Sequence, residues 1–161
     1  MKKEEVNFNC LFKLIPFVFK LWVTGGYGIS QNPTSSETSE FIDEKGATSG
    51  PDLQWKFYSH CASMMNSTHG ILTGGDDGYP RRTLMVNLDN FEMTRGPDLK
   101  EYGRLTHACA HIRHSNGSNF IIAVGGQYHN DGYHYSDTTE ILDADEASKP
   151  NGCWNPGKKL L

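Results

Sequence analysis

Apolar and polar positions along this chain fall into short runs. Three of the apolar runs end in a glycine pair: Leu21-Trp22-Val23-Thr24-Gly25-Gly26, Ile71-Leu72-Thr73-Gly74-Gly75 and Ile121-Ile122-Ala123-Val124-Gly125-Gly126. The pairs are spaced 49 residues (25 to 74) and 51 residues (74 to 125) apart. A period near fifty residues marks a repeat architecture. Aligned on the pairs, other features fall into register. A polar loop follows each pair: 27–36 with Asn32-Pro33, then Asp76-Asp77-Gly78-Tyr79-Pro80, then 127–137 with Asn130-Asp131-Gly132. Glycine, proline, asparagine and aspartate in such clusters are turn chemistry. An apolar run closing on aspartate comes next: Phe41-Ile42-Asp43, Val86-Asn87-Leu88-Asp89 and Ile141-Leu142-Asp143. Gly50-Pro51-Asp52-Leu53 returns as Gly96-Pro97-Asp98-Leu99, and His60-Cys61-Ala62 is echoed by His107-Ala108-Cys109-Ala110.

In the second unit the apolar runs cover 58–65, 69–73, 83–88 and 91–94. Their length and their β-branched and aromatic members predict strands, and no window carries a helical stripe long enough to compete. Four antiparallel strands in a unit of this size make a propeller blade. The first unit shows no clear first strand; 7–14 is the best candidate, with Pro16 against it. The predicted division is therefore an N-terminal segment of unclear structure over 1–20, a partial blade over 21–57, and blades over 58–103 and 104–161.

From about Leu21 onward the chain resembles kelch repeats. The apolar strand into Gly-Gly, the polar loop, the apolar-Asp dipeptide and the Trp-x-x-Gly of Trp154-Asn155-Pro156-Gly157 carry the resemblance. The chain departs from that family at Ala47 and Met93, where it has tryptophan, and at Ile42, Leu88 and Leu142, where it has tyrosine. The resemblance implies an all-β fold, a partial β-propeller of about three four-stranded antiparallel blades. Gly25, Gly26, Gly74, Gly75, Gly125, Gly126, His60, His107 and Trp154 are its structural positions, with each histidine expected to anchor an innermost strand to neighbouring backbone. It also implies a protein–protein interaction module, such as the substrate-recognition part of a ubiquitin-ligase adaptor or a cytoskeleton-binding part of a larger protein. No enzymatic activity, cofactor or metal is expected. The alternative on the same architecture is a propeller enzyme or carbohydrate-binding protein like galactose oxidase, secreted. Loops after the glycine pairs and before each first strand would bind the partner, with Tyr79, Arg81, Arg82, Tyr102, Arg104, Tyr128 and Tyr133 as candidates. Propellers close rings of four to eight blades, so three units are expected to be part of a longer protein, or to self-associate through exposed blade faces.

Charge narrows the classes of partner. Net charge is −4, and the basic groupings are the dipeptides Lys2-Lys3, Arg81-Arg82 and Lys158-Lys159. Nucleic-acid binding needs a clustered basic face, so it is not expected. The apolar run Leu14-Ile15-Pro16-Phe17-Val18-Phe19 lies between Lys13 and Lys20. It is too short to cross a bilayer and lacks the form of a signal peptide, which predicts no membrane contact. Cys10, Cys61, Cys109 and Cys153 form no Cys-x-x-Cys pair. Repeat-matched positions seldom lie at disulfide distance, so reduced thiols and a cytoplasmic location are expected. His107, Cys109 and His111 would share one strand face, but their ends would lie about 13 Å apart, too far for one tetrahedral zinc site. His129 and His134 sit among Tyr128, Tyr133 and Tyr135, a composition suited to a binding loop. Two sequons, Asn66-Ser67-Thr68 and Asn116-Gly117-Ser118, would carry glycan only in a secreted chain.

Overall fold

The computed structural model describes residues 9–15, 18–26, 36–75, 80–129 and 131–160. Among them every regular element is a β-strand. The first sheet joins β1 (Asn9–Ile15), β2 (Val18–Thr24), β3 (Ser39–Asp43) and β4 (Gly46–Ser49) in that order. The second joins β5 (Cys61–Met64), β6 (His69–Thr73), β7 (Thr83–Asn87) and β8 (Met93–Arg95). In the third, β9 (Ala108–Arg113) and β10 (Asn119–Val124) continue to β13 (Thr139–Asp143) and β14 (Trp154–Pro156). A separate hairpin of β11 (Gln127–His129) and β12 (Tyr133–Tyr135) is inserted between β10 and β13. All pairings within these sheets are antiparallel.

The strands expected in the second unit are present. The first unit is more complete than its sequence suggested, because β1 supplies a first strand inside the segment left unassigned and pairs with β2 along its whole length. The third unit departs in the other direction: residues read there as a loop form the β11–β12 hairpin. Asp131 and Gly132 take positive φ values of 52° and 136°, the backbone that tight hairpin turns require.

Equivalent residues meet in each sheet. Trp22 pairs with Phe41, Ile71 with Met85, and Ile122 with Ile141. Successive residues on a strand point to opposite faces, and the second sheet uses both of its faces. Leu72, Leu84 and Val86 join Trp22, Leu53 and Phe57 in one apolar layer against the first sheet. Ile71 and Met85 join Ile121, Ala123, Leu142 and Trp154 in another against the third. Leu84 is fully buried, and truncating a core leucine to alanine costs about 2–5 kcal/mol.

The first strands run side by side, β1 beside β5 and β5 beside β9. This corrects the expectation for the cysteines. Cys61 and Cys109, at the starts of β5 and β9, form a disulfide with Cα atoms 5.9 Å apart. Repeat-matched residues lie far apart where sheets fan out, but only about one strand spacing apart where first strands converge. Cys153 is a free, exposed thiol.

The glycine pairs stand where backbones crowd. Gly25 has φ +59°, and a Cβ there would lie 2.5 Å from the Phe57 carbonyl oxygen. Gly75, at φ +66°, abuts the backbone of Tyr58 and His60. Any side chain at either position meets both left-handed strain and a main-chain clash.

Candidate interaction surface beside the glycine pairs

The first two glycine pairs each lie next to the start of the following unit's first strand, and Gly126 of the third lies beside the start of β9 in its own sheet. Gly26 N–H donates to the Phe57 carbonyl at 2.8 Å, and Gly75 N–H to that of Arg104 at 2.8 Å. The two histidines span the same junctions. His60 Nε2 lies 2.9 Å from Thr24 Oγ1, and His107 Nε2 lies 2.7 Å from Thr73 Oγ1. Each histidine thus ties its unit to the threonine just before the preceding glycine pair, and the partner is a side chain where backbone was expected. Both rings are buried with Nδ1 unpartnered. Burial pushes the His60 pKa down to about 3, helped by His107; burial lowers His107 to about 4, helped by the Arg104 guanidinium. Cys109 is engaged with Cys61, so its sulfur is not available to a metal beside His107.

Arg104 is not a surface residue, which corrects its place among the partner-binding candidates. It is fully buried. Its Nη1 donates to the Gly125 carbonyl at 2.8 Å and the Thr138 carbonyl at 3.0 Å, and its Nη2 to Thr138 Oγ1 at 2.7 Å. Nη2 also lies 3.0 Å from Glu140 Oε1 in an ion pair buried on both sides. The other Glu140 oxygen accepts from the Lys100 N–H. Arg104 therefore fastens the loop between β8 and β9 to the third sheet. The sequence carries one signal for this: Glu140 shares a strand face with Leu142, so an acid points inward and needs a cation.

The tyrosines do reach the surface and come together. Tyr102, 45% exposed, stacks on Tyr128 with ring centroids 4.4 Å apart and planes within 13°. Tyr128 stacks in turn on His134 at 5.3 Å. His129 meets Tyr133 edge to face at 5.3 Å. Tyr133 and Tyr135 are 73% and 82% exposed. A bridge between Leu105 and Gln127 holds the hairpin to the loop that carries Tyr102. Arg81 is exposed, with Nε donating to the Leu99 carbonyl at 2.6 Å and Nη2 to the Lys100 carbonyl at 2.8 Å. The Arg82 guanidinium lies 5.1 Å from the centre of the Trp55 ring, a cation–π distance. Trp55 was missed, because its only signal is a half-buried aromatic in a polar linker. Tyr79 lies outside the described residues.

A second exposed feature is the outer face of the third sheet. Ile112, His114, Phe120, Ile122 and Ile141 line a shallow cavity of about 240 Å³. Ile122 and Ile141 hold the places that Trp22 with Phe41, and Ile71 with Met85, hold against a following sheet. Among the described residues no helix is long and apolar enough to cross a membrane.

These features define an all-β protein of repeated four-stranded antiparallel sheets. No protein-family model and no curated protein matches the chain. A solved structure described as "Structure of YjhT" is similar to it with a TM-score of 0.68 and 13% identity, over 94% of this chain and 52% of that one. Identity this low makes the likeness one of fold. The chain spans about half the length of that structure.

Proposed function

We propose that the three sheets are blades of a kelch-type β-propeller and that the chain is a protein-interaction module. The observation that carries the reading is the stack of exposed Tyr102, half-buried Tyr128 and exposed His134, with exposed Tyr133 and Tyr135 on the same hairpin. Tyrosine provides large, rigid contact area at low entropic cost and is enriched at interfaces. The stack sits on a hairpin and loop braced by a buried ion pair, so the surface is preorganised and loses little freedom on binding. Arg81, held to the Leu99 and Lys100 carbonyls of the segment leading to Tyr102, is a further candidate contact. The double variant Tyr102→Ala/Tyr128→Ala tests the reading. It is expected to abolish capture of a protein partner from extracts of the source cells while leaving the thermal midpoint within a few degrees. Undiminished capture overturns it.

Self-association is a second reading, favoured by the outer face of the third sheet. Ile122 and Ile141 would pack against a sheet of another copy as their counterparts pack within the chain. Ile122→Asp, read by sedimentation velocity, is expected to convert oligomer to monomer. A wild-type chain that is monomeric at high micromolar concentration rules this second reading out.

A further inference from the structure

We propose that Asn66 and Asn116 are N-glycosylation sites, and that their glycans cap the end of the molecule opposite the tyrosine surface. The inference does not rest on the kelch reading. It rests on the disulfide and on where the fold puts the two sequons.

The Cys61–Cys109 bridge joins two neighbouring sheets at their first strands. Disulfides persist in oxidising compartments and are rare where glutathione keeps thiols reduced. The compartment that forms this bridge in a eukaryotic cell also holds the glycan-transfer machinery.

Both sequons occupy the same structural position. Asn66-Ser67-Thr68 forms the turn between β5 and β6, and Asn116-Gly117-Ser118 the turn between β9 and β10. These are the first hairpins of the second and third sheets. β5 and β9 both start beside glycine pairs, as the contacts of Gly75 with His60 and of Gly126 with His107 show. Their hairpin turns therefore close at the far end of each sheet, away from the tyrosine stack. Asn66 and Asn116 are both exposed. Their side-chain oxygens hold the turns: Asn66 Oδ1 accepts from the Thr68 and His69 N–H groups at 2.9 Å each, and Asn116 Oδ1 from the Ser118 N–H at 3.0 Å. Thr68 Oγ1 also donates to Asn66 Oδ1 at 3.1 Å. The amide nitrogens make no hydrogen bond among the described residues, so glycan attachment at Nδ2 leaves both turns intact.

The transfer needs an oligosaccharide linked to a lipid diphosphate as co-reactant. The asparagine Nδ2 bonds to the anomeric carbon, the anomeric carbon–oxygen bond breaks, and the lipid diphosphate departs as Nδ2 loses one proton. The Asn66 glycan then rises from the rim of an open cavity of about 390 Å³, where Met65, His69, Glu92 and Asp145 also lie. It covers that cavity and keeps partners to the tyrosine end.

The test expresses the full chain behind a secretion leader in cultured animal cells and reads total cell material and medium. Digestion with a peptide N-glycosidase is expected to remove two glycans, with Asn66→Gln and Asn116→Gln each removing one beforehand. Transfer acts on the emerging chain, so a variant that fails to fold still reports occupancy. Peptide mapping of the same material is expected to recover Cys61 and Cys109 as one disulfide-linked pair. Absence of glycan at either asparagine overturns the proposal. Recovery of both cysteines as free thiols from the folded, secreted protein overturns its compartment argument.

Discussion

Replacing Arg104 with methionine is the substitution whose cost the structure defines best. The guanidinium contacts the Gly125 and Thr138 carbonyls, Thr138 Oγ1 and Glu140, with no exposed surface. Methionine fills similar volume but leaves a carboxylate in the interior with the Lys100 N–H as its remaining donor. Removing one partner of a buried pair costs about 3–5 kcal/mol. That is a large part of the roughly 5–15 kcal/mol that holds a typical domain together. The double variant Arg104→Met/Glu140→Leu removes both charges and is expected to recover the part of the loss that lies in the orphaned carboxylate, while the Gly125 carbonyl and the Lys100 N–H still lose their partners. The exposed Arg95–Asp98 pair, at 2.7 Å and about half solvent-accessible, serves as the contrast; Asp98→Asn is expected to cost no more than about 1 kcal/mol. Urea unfolding followed by the fluorescence of buried Trp22 and Trp154 measures all three. An Arg104→Met protein within about 1 kcal/mol of wild type refutes the reading that this pair fastens the β8–β9 loop to the third sheet.

Other outcomes follow from the same junctions. Burial holds the folded pKa values of His60 and His107 at about 3 and 4, below the ordinary 6.5 of an imidazole. The unfolded chain thus binds more protons between those values, so stability is complete above about pH 6.5 and falls as pH drops toward 4, by up to about 1.4 kcal/mol per pH unit per histidine; His60→Asn and His107→Asn should each flatten that slope in unfolding curves. Reducing the Cys61–Cys109 bridge, which spans 48 residues, should cost about 4 kcal/mol in the loop-entropy treatment, seen as a lower thermal midpoint in reductant than in a Cys153→Ser protein kept oxidised. Gly75→Ala, forced against the His60 backbone at positive φ, should destabilise by several kcal/mol where Gly46→Ala, with nothing within 4 Å, should cost about 1 kcal/mol from backbone strain; equal effects would undo the crowding argument.

Much of the architecture was legible because its signals are local. Apolar runs and turn residues located β6 and β7 nearly to the residue and β5 and β8 to within two or three, and the glycine pairs marked positions where backbones meet. What stayed hidden depends on distant neighbours. Nothing near Cys61 or Cys109 announces that two first strands converge. Arg104 looks like a loop cation until Glu140 is placed behind it. β1 was hard to see because Lys13 interrupts its run and no glycine marks the connection to β2. The tyrosines were singled out by composition, but their stacking depends on a hairpin closed by Asp131 and Gly132.

A photo-crosslinking amino acid at position 133, compared with one at position 115 in the far-end turn, tests the central claim most directly. The account predicts that position 133 captures a protein partner in source-cell extract, that position 115 does not, and that Tyr102→Ala/Tyr128→Ala removes the capture. Equal capture from both positions, or capture that survives the double substitution, contradicts it.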